Sequence, residues 1–183
     1  MIKVNSISVV DEAFINGIEL AMDWGLYISM SDYARYIQLT ESEGEKTEMR
    51  NFRLNDESGH QEALFNWAEY NMKRMPELEF MHHVPNGGKR DATTAVALKR
   101  QGVKAGVPDV CLPAPRGAYH GLYIEFKAGK NTTTAKQKKW LDFLKQQGYY
   151  TAVCYNWQVA AELIERYLLH TEDLGKAGLI WGK

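Results

Sequence analysis

The sequence predicts an α/β fold, a mixed central sheet flanked by helices. Three observations carry that prediction. From His60 onward, segments of strand length alternate with helical patterns in the order helix, strand, helix, strand, strand, helix, strand, helix. Two apolar runs, 106–113 and 121–127, are separated by a short gap holding Pro115 and Gly117, which suits a turn between paired strands. The helical patterns open on capping residues and close on glycine.

Before His60 the pattern is weaker. Residues 1–10 alternate loosely, as an edge strand would. Phe14, Ile15, Ile18 and Met22 recur at helical spacing, and Ser31 suits the cap of a second short helix. Residues 40–50 are charged and apolar-poor, which reads as a linker. This divides the chain into an accessory segment, 1–57, packed on the core or used in dimerisation, and a main domain, 58–183.

Ser58 and Gln61 fit a capping box for a helix reaching about Met72, with Leu64, Trp67 and Ala68 on its apolar stripe. Glu62 falls in its first turn, where a carboxylate gains from the helix dipole. Residues 79–84 read as a strand ended by Pro85, with His82 and His83 on opposite faces. Residues 85–90 form a glycine turn with basic tips. A helix over 91–101 follows, capped by Asp91, packed through Ala95, Val96 and Leu98, and stopped by Gly102. Thr134 and Gln137 make another capping box, for a helix that Gly148 stops and whose core stripe is Trp140, Leu141 and Leu144. Residues 149–155 read as a strand and 157–169 as a helix packed on the sheet. The tail from 171 ends apolar and suits packing on the body or on a second subunit.

Hydrophobic residues make up 45% and charged ones 25%, the balance of an ordinary soluble domain. With no apolar run of spanning length, a membrane protein is excluded and the cytoplasm is the expected location. Cys111 and Cys154 both sit in strand-like runs, so they read as buried thiols rather than a disulfide framework or zinc site. Net charge is −1, but it is unevenly placed: residues 1–62 carry −7 and residues 63–183 carry +6. Between 86 and 145 there are twelve basic and four acidic residues, and two of those four are Asp109 and Glu125. A positive field around a carboxylate pair suits a phosphate-backbone partner.

The chemistry centres on Asp109, Glu125 and Lys127. Glu125 and Lys127 are two apart, so on a strand they share a face while Phe126 points into packing. Carboxylate oxygens beside a backbone carbonyl are ligands that Mg²⁺ accepts. A lysine among them can pair with the carboxylates, orient water or stabilise a phosphate. Spacing alone equally allows a hairpin with solvated ends.

Pro108-Asp109 followed by Glu125-Phe126-Lys127 resembles the core of the PD-(D/E)xK nuclease superfamily. More narrowly, Gly106-Val107-Pro108-Asp109, the Glu125–Lys127 strand and Gln137 on the next helix resemble the VRR-NUC family across about 60–157. The resemblance implies a restriction-endonuclease-like fold and a metal-dependent DNA endonuclease. It implies Asp109, Glu125 and the Phe126 carbonyl as ligands of Mg²⁺ or Mn²⁺, with Glu62 assisting. Lys127 and Gln137 complete the catalytic set. Asn86, Lys89, Arg90, Lys130, Lys136, Lys138 and Lys139 are the candidate DNA contacts.

Compact members of the family resemble phage proteins, and some are similar to Holliday-junction resolvases. That implies branched DNA as substrate, a homodimer, and action in a host cytoplasm. The alternatives are a nicking or restriction-like nuclease on other DNA, and a non-catalytic nucleic-acid-binding or assembly protein that keeps the fold. The strand at 151–156 lacks the paired arginines of the family signature.

Overall fold

The structure is a computed structural model that describes residues 14–19, 32, 35–36, 56–85, 92–169 and 179–181. Residues 14–19, within the helix expected from Phe14 to Met22, are helical, and helix α1 (Glu57–Asn71) starts earlier than the Ser58 signal predicts. Asp56 is the cap: its backbone is extended and its Oδ1 accepts the Gly59 N–H at 2.8 Å. Glu57 is therefore the first-turn carboxylate, and Glu62 lies in the second turn. The dipole stabilisation assigned to Glu62 falls on Glu57 instead. Leu64, Trp67 and Ala68 are buried, as their spacing predicts.

The segment read as one strand over 79–84 is mostly a 3-10 turn, Pro76–Phe80, followed by a two-residue strand β1 (His82–His83). Pro76 suits a helical first position because its missing N–H would have had no partner there. Leu78 and Met81, three apart, are buried, whereas Phe80 faces solvent. That period of three, not two, is the signal the strand reading missed.

Among the described residues, four further strands make up the sheet with β1: β2 (Val110–Leu112), β3 (Leu122–Phe126), β4 (Tyr150–Cys154) and β5 (Leu179–Trp181). They lie in chain order, β1-β2-β3-β4-β5. The first three pair antiparallel, with Val110 opposite Ile124. β3, β4 and β5 pair parallel, with Phe126 opposite Cys154 and Cys154 opposite Trp181. The sheet is mixed, as expected, and the apolar end of the chain supplies its edge strand. Gly117, at φ +54°, turns the connection between β2 and β3, and an Arg116–Tyr119 bridge closes it.

Helix α2 (Ala92–Arg100) precedes β2, and Gly102 at φ +96° ends it. Its apolar residues are not buried as their pattern predicts: Val96 is 52% exposed. Helix α3 (Ala135–Gln146) carries the chain from β3 to its parallel neighbour β4. Helix α4 (Trp157–Leu169) follows β4 and buries Trp157, Ala160, Ala161, Leu163, Ile164 and Tyr167. The core joins these to Leu64 and Trp67 of α1 and to Ile124, Phe126 and Tyr150 of the sheet; Ile18 and Tyr36 belong to it too. The Arg74–Glu165 ion pair at 2.8 Å ties the turn after α1 to α4, and Tyr167 donates to the Ala114 carbonyl at 2.8 Å. Cys111 and Cys154 are free and buried, and burial pushes both thiols up. Among the described residues, no helix is long and apolar enough to cross a membrane.

Candidate active site

Asp109 sits one residue before β2, and the backbone around it is held tightly. Gly106 turns at φ +87°. A Cβ there would lie 2.8 Å from the Lys136 Cβ and 2.9 Å from the Lys136 backbone carbon. Only glycine permits both the turn and this approach to the start of α3. The Asp109 carbonyl accepts the Val84 N–H at 2.8 Å and lies 2.9 Å from His83 Nδ1, which therefore carries the proton. Its carboxylate Oδ2 accepts the Phe126 N–H at 2.8 Å, tying the start of β2 to the end of β3.

Glu125 and Lys127 do share a face. Glu125 is 0% exposed and Lys127 4%. Lys127 Nζ lies 2.8 Å from Glu125 Oε1 and 3.3 Å from Glu57 Oε2, and it donates to the Phe126 carbonyl. The Lys127 N–H donates to the Cys154 carbonyl at 2.9 Å, extending the β3–β4 ladder by one residue. A buried pair such as Glu125–Lys127 contributes little net stability, but removing either partner strands the other's charge.

Gln137 does two jobs with one amide. Its Oε1 accepts the Thr134 N–H at 2.8 Å, and its own N–H donates to Thr134 Oγ1 at 3.3 Å, completing the capping box the sequence predicts. Its Nε2 donates to Glu125 Oε1. The helix cap therefore positions the site amide.

The electrostatics follow from this packing. Burial, and then the charge of Asp109, push the Glu125 carboxyl up from 4.5 to about 7, against the pull of Lys127. Burial raises Asp109 as well; the Phe126 N–H and Lys127 oppose it. Burial alone would lower Lys127, but its hydrogen bond to Glu125 and the charges of Glu125 and Glu57 outweigh this and raise it.

Among the described residues, no group of three or more His, Cys, Asp or Glu side chains gathers to hold a metal. One atom nevertheless fits a hard cation. Glu125 Oε2 is buried and has no hydrogen-bond partner. An orphaned carboxylate oxygen, on a group whose pKa another carboxylate raises, is what an added cation would satisfy. The Phe126 carbonyl and Glu125 Oε1 now receive the Lys127 ammonium, a monovalent cation on oxygen ligands of the kind Mg²⁺ prefers.

The remaining expected residues do not gather at this cluster. Glu62 is five residues beyond Glu57, about 140° round the helix; Glu57 is the α1 carboxylate that reaches Lys127. The sequence signal for Glu57 was its place just inside the Asp56 cap. Lys130 lines a small cleft with Glu57 and Asn131, where Asn131 Nδ2 lies 3.4 Å from Glu57 Oε1. Lys136 and Lys139 line a larger groove between α2 and α3, together with Lys99 and Lys104, which are not among the expected DNA contacts. Trp140, expected in the core stripe, is half-buried and lines the same groove. Lys138 is exposed. Asn86, Lys89 and Arg90, like Asp91, lie outside the described residues.

The mixed sheet brings two carboxylates and an ammonium together at adjacent strand ends, in an α/β domain of the class that comparison with known proteins identifies as nuclease-like. The VRR-NUC domain matches residues 41–157, well over half of the chain, and the protein belongs to that family. It is also similar to a solved structure described as a VRR_NUC domain protein. The two are 33% identical, with a TM-score of 0.51, over 66% of this chain and 91% of that one. A search of curated proteins finds no match.

Proposed function

We propose that the protein is a metal-dependent, structure-selective DNA endonuclease that resolves branched DNA as a homodimer. The observation that supports the metal-dependent part of this reading is the unpartnered, fully buried Glu125 Oε2 beside Asp109; the branched substrate and the homodimer rest on the family resemblance. Asp109 and Glu125 would hold Mg²⁺ or Mn²⁺, with the Phe126 carbonyl and a carboxylate of α1 assisting. Glu57 is better placed for that part than Glu62. When bound, the ion lowers the pKa of a water and polarises the scissile phosphate. Gln137 holds Glu125 and orients it through the helix cap. Lys127 carries a positive charge to the phosphate oxygens, where negative charge grows during reaction. The water oxygen bonds to phosphorus and gives up a proton to solvent, one bridging P–O bond breaks, and the departing alkoxide takes up a proton from solvent. A shape-selective enzyme needs backbone contacts more than base readout, and the lysines of α3 suit that need. The accessory or dimerisation role expected of residues 1–57 would fall on those before the Asp56 cap, since Glu57 belongs to α1 and to the site.

The test is cleavage of labelled four-way junction, duplex, flap and single-stranded DNA with Mg²⁺, Mn²⁺ or EDTA, using wild type and Asp109→Ala. Symmetric, metal-dependent cuts in the junction, lost in the variant, are expected. Cuts confined to another DNA would keep the nuclease and discard the junction. A second reading, a nucleic-acid-binding protein without catalysis, draws on the Lys127 ammonium standing where a metal's ligands are. Absence of metal-dependent cleavage on every DNA would favour it.

A further inference from the structure

The groove between α2 and α3 has a composition the catalytic cluster does not use. It encloses about 860 Å³. Its floor is apolar, with Leu98, Val103, Trp140 and Phe143 among the lining side chains. Trp140 and Phe143 meet edge to face, with ring centroids 6.2 Å apart at 89°. Phe143 is 52% exposed and continues the apolar floor to the surface beside half-buried Trp140. Four exposed lysines, Lys99, Lys104, Lys136 and Lys139, rim this floor, and among the described residues no acidic side chain lines it.

We infer that this groove binds an unpaired stretch of the DNA substrate, as where bases open at a branch point, with its bases stacked on Trp140 and Phe143 and its phosphates on the lysines. Charge selects the occupant. Four lysines without a carboxylate repel a basic partner and suit a polyanion. The aromatic floor then selects among polyanions. Bases in a duplex hide their faces in the stack, so only an unpaired base can lie on an exposed ring. Position connects the groove to chemistry. Lys136 borders it, and the next residue is Gln137, which bonds Glu125. On its other side, the chain from Lys104 and Ala105 leads through the Gly106 turn to Asp109. A strand lying in the groove is thereby led to the carboxylates. This inference rests on the nuclease reading for the identity of the DNA as substrate, but its binding test does not need cleavage.

The test is fluorescence anisotropy in EDTA, with the full chain and a labelled oligo(dT) of roughly 15 nucleotides, a length suited to single-strand binding sites. The same oligonucleotide annealed to oligo(dA) is the comparison. Phe143→Ala and Trp140→Ala are each expected to weaken oligo(dT) binding by about 5- to 100-fold, the loss of one stacked base. Duplex affinity should stay within about twofold. Lys139→Ala should lower the salt slope on oligo(dT) by about 0.7. Trp140→Phe should keep the affinity while removing part of the tryptophan quenching that oligo(dT) causes. Because Phe143 is largely exposed, Phe143→Ala tests the inference even if Trp140→Ala fails to fold. Equal losses on duplex and single strand would overturn the stacking role, as would no loss on either. Sedimentation that shows Phe143→Ser dissociating a dimer, with oligo(dT) binding unchanged, would assign the groove to a second copy of the chain and overturn it as well. Cleavage by wild type but not Asp109→Ala tests the nuclease reading separately.

Discussion

Glu125→Gln isolates the electrostatic cost of the buried carboxylate. In the folded protein that carboxyl titrates near 7, against 4.5 when unconstrained. The native state therefore holds a proton that the unfolded state has already released between these values. Stability depends on pH through the difference in bound protons, so it is present in full below pH 4.5 and falls as pH rises toward 7. At about 1.4 kcal/mol per unit, the loss is on the order of 3 kcal/mol. Lys127 is already included, since its attraction opposes the shift. Other groups also titrate. His60, lowered mainly by burial, acts with the opposite sign as pH falls. Subtracting the variant from wild type removes such shared contributions, because glutamine keeps the shape of Glu125 without its proton equilibrium.

The assay is urea denaturation of both proteins in EDTA at several values between pH 5 and pH 8. Wild type should lose about 2–3 kcal/mol more than the variant across that range. Parallel profiles would refute the reasoning, showing that Glu125 titrates normally in the fold. Adding Mg²⁺ at pH 8 should recover wild type far more than the variant, since a ligand that binds only the folded state stabilises it.

Three other perturbations probe the surrounding geometry. Gln137→Ala should cost about 1–3 kcal/mol, because it removes a partner of buried Glu125 and an acceptor for the Thr134 N–H. Gln137→Glu keeps that acceptor but opposes two carboxylates, so its melting temperature should fall below the alanine variant's at pH 8 and approach it near pH 5. Gly106→Ala should destabilise by at least about 1–3 kcal/mol in thermal melts, because alanine is strained at φ +87° and its Cβ meets the start of α3. An unchanged melting temperature would show that the turn can shift. In cleavage assays, Glu57→Gln should lower activity by about 10- to 100-fold, the effect of losing support for a metal site. Glu62→Gln should stay within about twofold, and the reverse order would return the α1 role to Glu62.

Much of this site was legible because strand geometry is simple. A period of two puts Glu125 and Lys127 on one face whatever surrounds them, and Thr134 with Gln137 spells a capping box that forms as written. Helix phase was harder. Ser58 with Gln61 and Asp56 with Glu57 offer competing starts for α1, and only the Asp56 bond to Gly59 decides between them. That two-residue shift moved the first-turn carboxylate from Glu62 to Glu57. The lysine-rimmed groove was illegible for another reason. The apolar residues of α2 repeat as a core-facing stripe would, but local periodicity cannot tell a stripe that is covered from one left open.

The bonds that assemble the cluster differ greatly in the length of chain they close. Gln137 reaches back 12 residues to Glu125, and Phe126 reaches back 17 to Asp109, whereas Lys127 and Glu57 are separated by 70. At a synthesis rate of roughly 5–20 residues per second, Glu57 is incorporated about 4–14 seconds before Lys127. The helix that carries it must wait with its Trp67 and Leu64 face uncovered until β3 and α4 arrive. The first carboxylate made is then the last to dock, so a newborn chain acquires its ion cluster only when the whole domain has closed around it.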